Sequence, residues 1–168
     1  MQEFERVYMR TLRHIYDTEK QLIASIRMLS SSVTNLKLMS ALREIEAQSQ
    51  SQATRIEGIF DTLYLEARGE ASWATTALLR EAWDSASSRP ESGTRGCAAA
   101  LLAIKRYEIT LYEALLRWSE QYEFDEIIPN IRRSIAEELV QASILSELAF
   151  GDDAADEALV HTERGALH

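Results

Sequence analysis

The feature that most constrains this chain is a set of long apolar stripes at helical spacing, each interrupted near its middle by polar side chains. Phe4, Val7, Tyr8, Leu12, Ile15, Leu22, Ile23, Ile26 and Leu29 predict a first helix over about residues 2–29. Glu19 falls on that stripe, midway between Ile15 and Ile23. The run from Ser30 to Asn35 breaks the pattern, and Asn35 is a good N-cap for a second helix over about 36–65. Its stripe is Leu38, Leu42, Ile45, then Ile56, Ile59, Phe60 and Leu63, with Gln48, Ser49 and Gln52 in the gap. A third long helix over about 97–122 carries Leu101, Ile104, Leu111 and Leu115, with Lys105 and Glu108 at the stripe's edge or inside it. A tight turn near 123–125 offers Asp125 as the next N-cap, and Pro129 suits a first helical turn. The last stripe is Ile127, Ile131, Ile135, Leu145 and Leu148, and Glu138 lies on it.

Between Arg68-Gly69 and Cys97 runs a long connector. Trp73, Ala77, Leu78 and Trp83 predict a short amphipathic helix in it, capped by Ser72, and Ser85 to Gly96 reads as loop. A connector of this length can travel the whole bundle, so the second and third long helices run parallel. The expected fold is therefore all-α: a ferritin-like four-helix bundle over residues 1–150, made of two antiparallel hairpins joined by a long crossover carrying a short helix. Residues 151–168 are expected to form a flexible or weakly helical tail. Trp73 and Trp83 are expected to pin the crossover to the bundle or to serve a dimer contact.

Composition narrows the partners. A formal net charge of −9 argues against nucleic acid, which needs a basic face. The longest apolar run, Cys97 to Ile104, is too short to cross a bilayer, and the N-terminus lacks a signal-peptide core. A cytoplasmic protein is the expectation. Cys97 is the only cysteine, which excludes an intrachain disulfide and a thiolate metal cage. The three histidines are His14, off the stripe, and His161 and His168 in the tail. None has the spacing of a helical metal pair, and nucleophilic or histidine-based catalysis finds no support.

The polar interruptions can be placed by height. Glu19 lies roughly 11 residues before the first turn and Gln48 roughly 12 after it, at about 1.5 Å per residue. Glu108 and Glu138 lie about 14 and 13 residues from the second turn. Both pairs are level, near mid-bundle. Such a layer is either an enclosed site or a set of interface and surface groups; ferritin-like di-iron and di-manganese proteins build theirs from glutamates and Glu-x-x-His pairs on four helices.

Four segments carry a resemblance: Ile15-Tyr16-Asp17-Thr18-Glu19-Lys20-Gln21-Leu22, Arg55-Ile56-Glu57, Tyr107-Glu108-Ile109 with Tyr112, and Ala136-Glu137-Glu138. In order and spacing they resemble the YciE/YciF-like family of bacterial ferritin-like proteins, over about residues 5 to 150. The resemblance implies a stress-associated bacterial protein of unresolved activity, a bundle often dimeric, and a candidate two-metal carboxylate site. Glu19 and Glu138 match inner carboxylates of that site. Gln48 stands where the family has Glu, and Gln52 where it has His or Gln. Lys105-Arg106 replaces Glu-His, and Ala142 replaces Asp.

The expected inner set is thus Glu19, Gln48, Gln52, Lys105, Glu108 and Glu138: three carboxylates, two amides and an ammonium. Two readings follow. In the first, the set is a metal-free pseudo-site with no cofactor, and the protein is non-catalytic and acts through association with itself, as a homodimer, or with a protein partner. In the second, Glu19, Glu108 and Glu138 form a reduced ligand set for iron or manganese, in an iron-handling protein or oxidoreductase. The position of the Lys105 ammonium separates them.

Overall fold

The computed structural model describes residues 2–151, in five helices: α1 (Gln2–Ser32), α2 (Leu36–Thr62), α3 (Trp73–Ala86), α4 (Pro90–Gln121) and α5 (Ile128–Phe150). The tail expected from residue 151 lies, beyond Gly151, outside the described residues. Helices α1 and α2 form one antiparallel hairpin and α4 and α5 the other, while α3 rides on the crossover against α1 and α4. No helix among the described residues is long and apolar enough to cross a membrane.

The stripes bury as two separate apolar cores. At one end Leu22, Ile26, Leu29, Leu38, Leu42, Ile45, Leu101, Ile104 and Leu145 pack together, with Leu79 and Ala82 of α3 closing the side. At the other, Tyr8, Leu12, Ile15, Ile56, Ile59, Phe60, Tyr112, Leu115, Ile127 and Ile131 form the second. Each long helix passes from one core to the other through a buried polar stretch. These are Thr18 and Glu19 on α1, Ser49 and Gln52 on α2, Lys105 and Glu108 on α4, and Ser134, Glu138 and Gln141 on α5. The interrupted stripes of the sequence are one polar layer crossing the bundle.

The helix ends show both agreement and correction. Asn35 caps α2 as expected, its side chain accepting from the Leu38 N–H at 3.0 Å. Ser72 caps α3. The stretch from Ser85 to Gly96, read as loop, is mostly helix, because α4 already begins at Pro90. Its glycines serve packing rather than chain reversal: a Cβ on Gly93 would sit 2.7 Å from the Ser85 carbonyl oxygen, and one on Gly96 2.7 Å from Ser85 Oγ. The end of α3 and the start of α4 approach too closely for side chains. Asp125 is not the N-cap of α5; Ile127 holds that position without a side-chain bond, and Pro129 fills the first turn as expected.

Trp73 does not pin the crossover. The face of α3 that meets the bundle is Thr75, Leu79 and Ala82, spaced by four and three. That phase turns Trp73 outward, 78% exposed, and leaves Trp83 36% exposed.

Candidate functional site

Lys105 of α4 lies at the centre of the polar layer, 1% exposed. The i,i+3 spacing brings Glu108 under it on the same helix face, and Nζ donates to Glu108 Oε2 at 2.9 Å. The same ammonium crosses to α5 and donates to Glu138 Oε1 at 3.1 Å. Glu19 of α1 completes the group, its Oε1 accepting from the Tyr112 hydroxyl at 3.1 Å. Glu19, Glu108 and Glu138 each offer a carboxylate oxygen, and these three atoms all lie within 4.8 Å of one another.

The two glutamines occupy different places. Gln52 is fully buried, but its amide nitrogen turns outward and donates to Glu137 at 3.1 Å, leaving Oε1 buried and unpartnered. Gln48 is only partly buried, and Ser49 takes the innermost position on α2. Glu137 is not a free solvated group. It accepts from Gln52, Arg55 and Arg133, and Arg55 also bonds Ser134 at 2.7 Å. Gln141 was not singled out in the sequence; it lies one turn beyond Glu138, fully buried, with its amide donated to Glu44 at 3.3 Å. The three-residue spacing from Glu138 was the available signal.

The electrostatics follow from burial. The Glu19 carboxyl is raised to about 7, chiefly by burial and further by Glu138, against the attraction of Lys105. Burial and the neighbouring Glu138 hold Glu108 well above the ordinary carboxyl range, with Lys105 opposing. Burial alone would lower Lys105, but Glu108, Glu138 and Glu19 together hold it above its usual value, so it stays an ammonium. Burial and the three carboxyls also push the Tyr112 phenol up. One ammonium cannot offset three buried carboxylates, and the cluster therefore carries fewer negative charges than it has carboxyls. Glu19 Oε2, Glu108 Oε1 and Glu138 Oε2 are each buried without a hydrogen-bond partner.

These residues do not fit a two-metal centre. Two divalent ions and the ammonium would bring five positive charges against at most three negative ones. Among the described residues no imidazole joins the layer: His14, the one histidine among them, lies 3.7 Å from Glu70. The ammonium already bonds two of the three carboxyls.

A second polar cluster, on the outer side of the same two turns of α1, was not foreseen as a unit. Asp17 accepts from the Ser72 N–H at 2.8 Å and from Gln21 at 2.6 Å. Thr18 meets Thr75 at 2.8 Å, and Gln21 accepts from Thr76 at 2.9 Å. Tyr16 donates to Glu57 at 2.7 Å, which pushes its phenol up to about 12. Apart from Glu19 and the exposed Lys20, the polar residues of the Tyr16–Gln21 run therefore dock α1 to α2 and to the start of α3. Cys97 is an inert thiol, buried in the core at the α3 end and raised to about 11 by that burial.

Comparison with known proteins agrees with this architecture. The chain is 25% identical to protein YciF of Escherichia coli (strain K12) over 155 residues, covering 90% of this chain and 93% of that protein. The crystal structure of the E. coli stress protein YciF superposes with a TM-score of 0.82 at 25% identity, over 89% of this chain and 96% of the other. YcfI from Rhodopseudomonas palustris gives a TM-score of 0.79 at 25% identity, over 87% and 94% of the two chains. The family described as domain of unknown function DUF892 matches residues 3–158, and the chain belongs to that family.

Proposed function

We propose that the inner layer is a pseudo-metal site, in which the Lys105 ammonium stands in for metal ions and the protein works without a cofactor. The observation that carries this reading is the pair of bonds from Lys105 Nζ to Glu108 and Glu138 in the fully buried centre of the bundle. An intrinsic cation there neutralises the carboxyls that a metal would otherwise hold. Among the described residues no imidazole joins the three carboxyls. The protein is then non-catalytic and acts in a stress-related role, in the cytoplasm, by association as a homodimer or with a protein partner. The relative called a stress protein supports the setting, and the suggestion that YcfI is structural supports the absence of chemistry. Metal analysis after expression in iron- and manganese-supplemented medium tests the reading. Trace metal is expected; about two equivalents per chain, the load of a di-metal centre, would overturn it.

One observation favours a second reading. Each of the three converging carboxyls keeps one buried oxygen unpartnered, on Glu19, Glu108 and Glu138. Those oxygens could hold a single iron or manganese ion as a reduced ligand set. A stoichiometry near one, abolished by Glu19→Gln, would establish it.

A further inference from the structure

The outer face of α1 carries a groove remote from the central layer. Its volume is about 590 Å³, and it is lined by Glu5, Arg6, Met9, Arg10, Arg13 and Glu70. Arginines spaced by four and three share one face of the helix. The opposite wall is the strap that follows α2. Glu70 N donates to the Arg13 carbonyl at 3.3 Å. A Cβ on Gly69 would come 3.2 Å from Asp17 Cβ, so the absence of a side chain lets the strap lie against α1.

Within this groove the Glu70 carboxylate sits 3.4 Å from Arg10 Nε and 3.7 Å from His14 Nε2. It is a built-in anionic guest that satisfies one arginine of the three. Arg6 and Arg13 have no carboxylate partner among the described residues, and Arg13 Nε is buried with no acceptor. A guanidinium donor withdrawn from water and left unpaired is costly, and its fork geometry matches the oxygens of a phosphate or carboxylate. On a chain of net charge −9, three arginines within eight residues are a local departure.

We propose that this groove binds a small organic phosphate, its phosphate head between Arg6 and Arg13 and its organic part against Met9. Three arginines face the carboxylates of Glu5 and Glu70, so the surplus is a single positive charge. That suits one compact anionic head and excludes nucleic acid, whose affinity rests on many phosphate contacts. The volume falls within the range of small-ligand pockets, about 300–1,000 Å³.

The test is titration of the full chain with inorganic phosphate and with phenyl phosphate at ionic strength held constant with NaCl, read by calorimetry and ³¹P line broadening. Saturable binding is expected, tighter for phenyl phosphate. Arg13→Gln should weaken it about tenfold, the loss of one charge-assisted pair. Glu70→Gln, which removes the internal competitor, should tighten it about threefold, a gain that misfolding cannot produce. Absence of saturable binding for both probes, or affinity unchanged in both variants, would overturn the proposal.

Discussion

Two polar clusters issue from the same two turns of α1, and they are built on opposite terms. The outer cluster ties Asp17, Thr18 and Gln21 to the start of α3. It is almost wholly paired: a backbone N–H meets a carboxylate, and hydroxyl meets hydroxyl, at 2.6–2.9 Å. The inner cluster sets Glu19 beside Glu108, Glu138 and Lys105, and three carboxyl oxygens in it have no partner. A satisfied network fixes one arrangement of helices. An unsatisfied one, buried between two apolar cores, stores a cost that packing elsewhere must offset. The contrast separates a paired network that fixes the helices from a buried cluster that is left short of partners.

Removing the cation should expose the difference most strongly. Lys105→Met leaves buried carboxyls without their counter-charge and should cost about 3–5 kcal/mol at pH 7, measured by urea unfolding. The loss should shrink at pH 5, where more of the cluster is protonated. A pH-independent loss would mean that Lys105 contributes packing alone.

The pH dependence of the native protein should divide along the same line. Glu19 titrates at about 7 when folded, against an ordinary value near 4.5. Between those values the folded state binds more protons than the unfolded, so the inner cluster's contribution falls as pH rises through this window. The effect is a few kcal/mol at most, on the order of 1.4 kcal/mol per pKa unit. Glu19→Gln should flatten it. Glu137 runs the other way: although burial opposes it, the Arg55 and Gln52 bonds hold its carboxyl below the ordinary range. The stability it supplies is present above that range and is lost as pH falls through its lowered value. Urea midpoints between pH 3 and pH 8 check both slopes.

Smaller effects belong to the outer cluster. Asp17→Ala removes the acceptor of the Ser72 N–H and should cost about 1–3 kcal/mol. Hydrogen exchange should rise across α3 while the polar layer stays protected. Exchange rising equally in α4 and α5 would show that the two clusters are one cooperative unit. Trp73→Ser should change stability by no more than about 0.5 kcal/mol, because the indole points to solvent. A larger loss would return Trp73 to the pinning role that its sequence position suggests.

How much of this was legible before the structure depended on range. Apolar spacing located the four long helices and the polar layer, since burial at every third or fourth residue is a local signal. Counting heights placed Glu19 level with Gln48 and Glu108 level with Glu138, near mid-bundle; the three glutamates do converge, whereas Gln48 is only partly buried. The start of α4 was misread because Gly93 and Gly96 look like loop formers until Ser85 is brought against them. The phase of α3 was misread for a similar reason: Thr75, Leu79 and Ala82 are a modest face, and two tryptophans outweighed it. Gln52 turns its amide outward because Glu137 draws it, a pairing across two helices that no spacing along the chain displays.

The central claim is that Lys105 occupies the place of a metal. Mn²⁺ titration of the wild-type chain and of Lys105→Ala, followed by electron paramagnetic resonance, tests it most directly. The account predicts no stoichiometric binding by the wild type and a new site in the variant, where Glu19, Glu108 and Glu138 are released from the ammonium. Tight binding by the wild type that Lys105→Ala leaves unchanged or abolishes would contradict it.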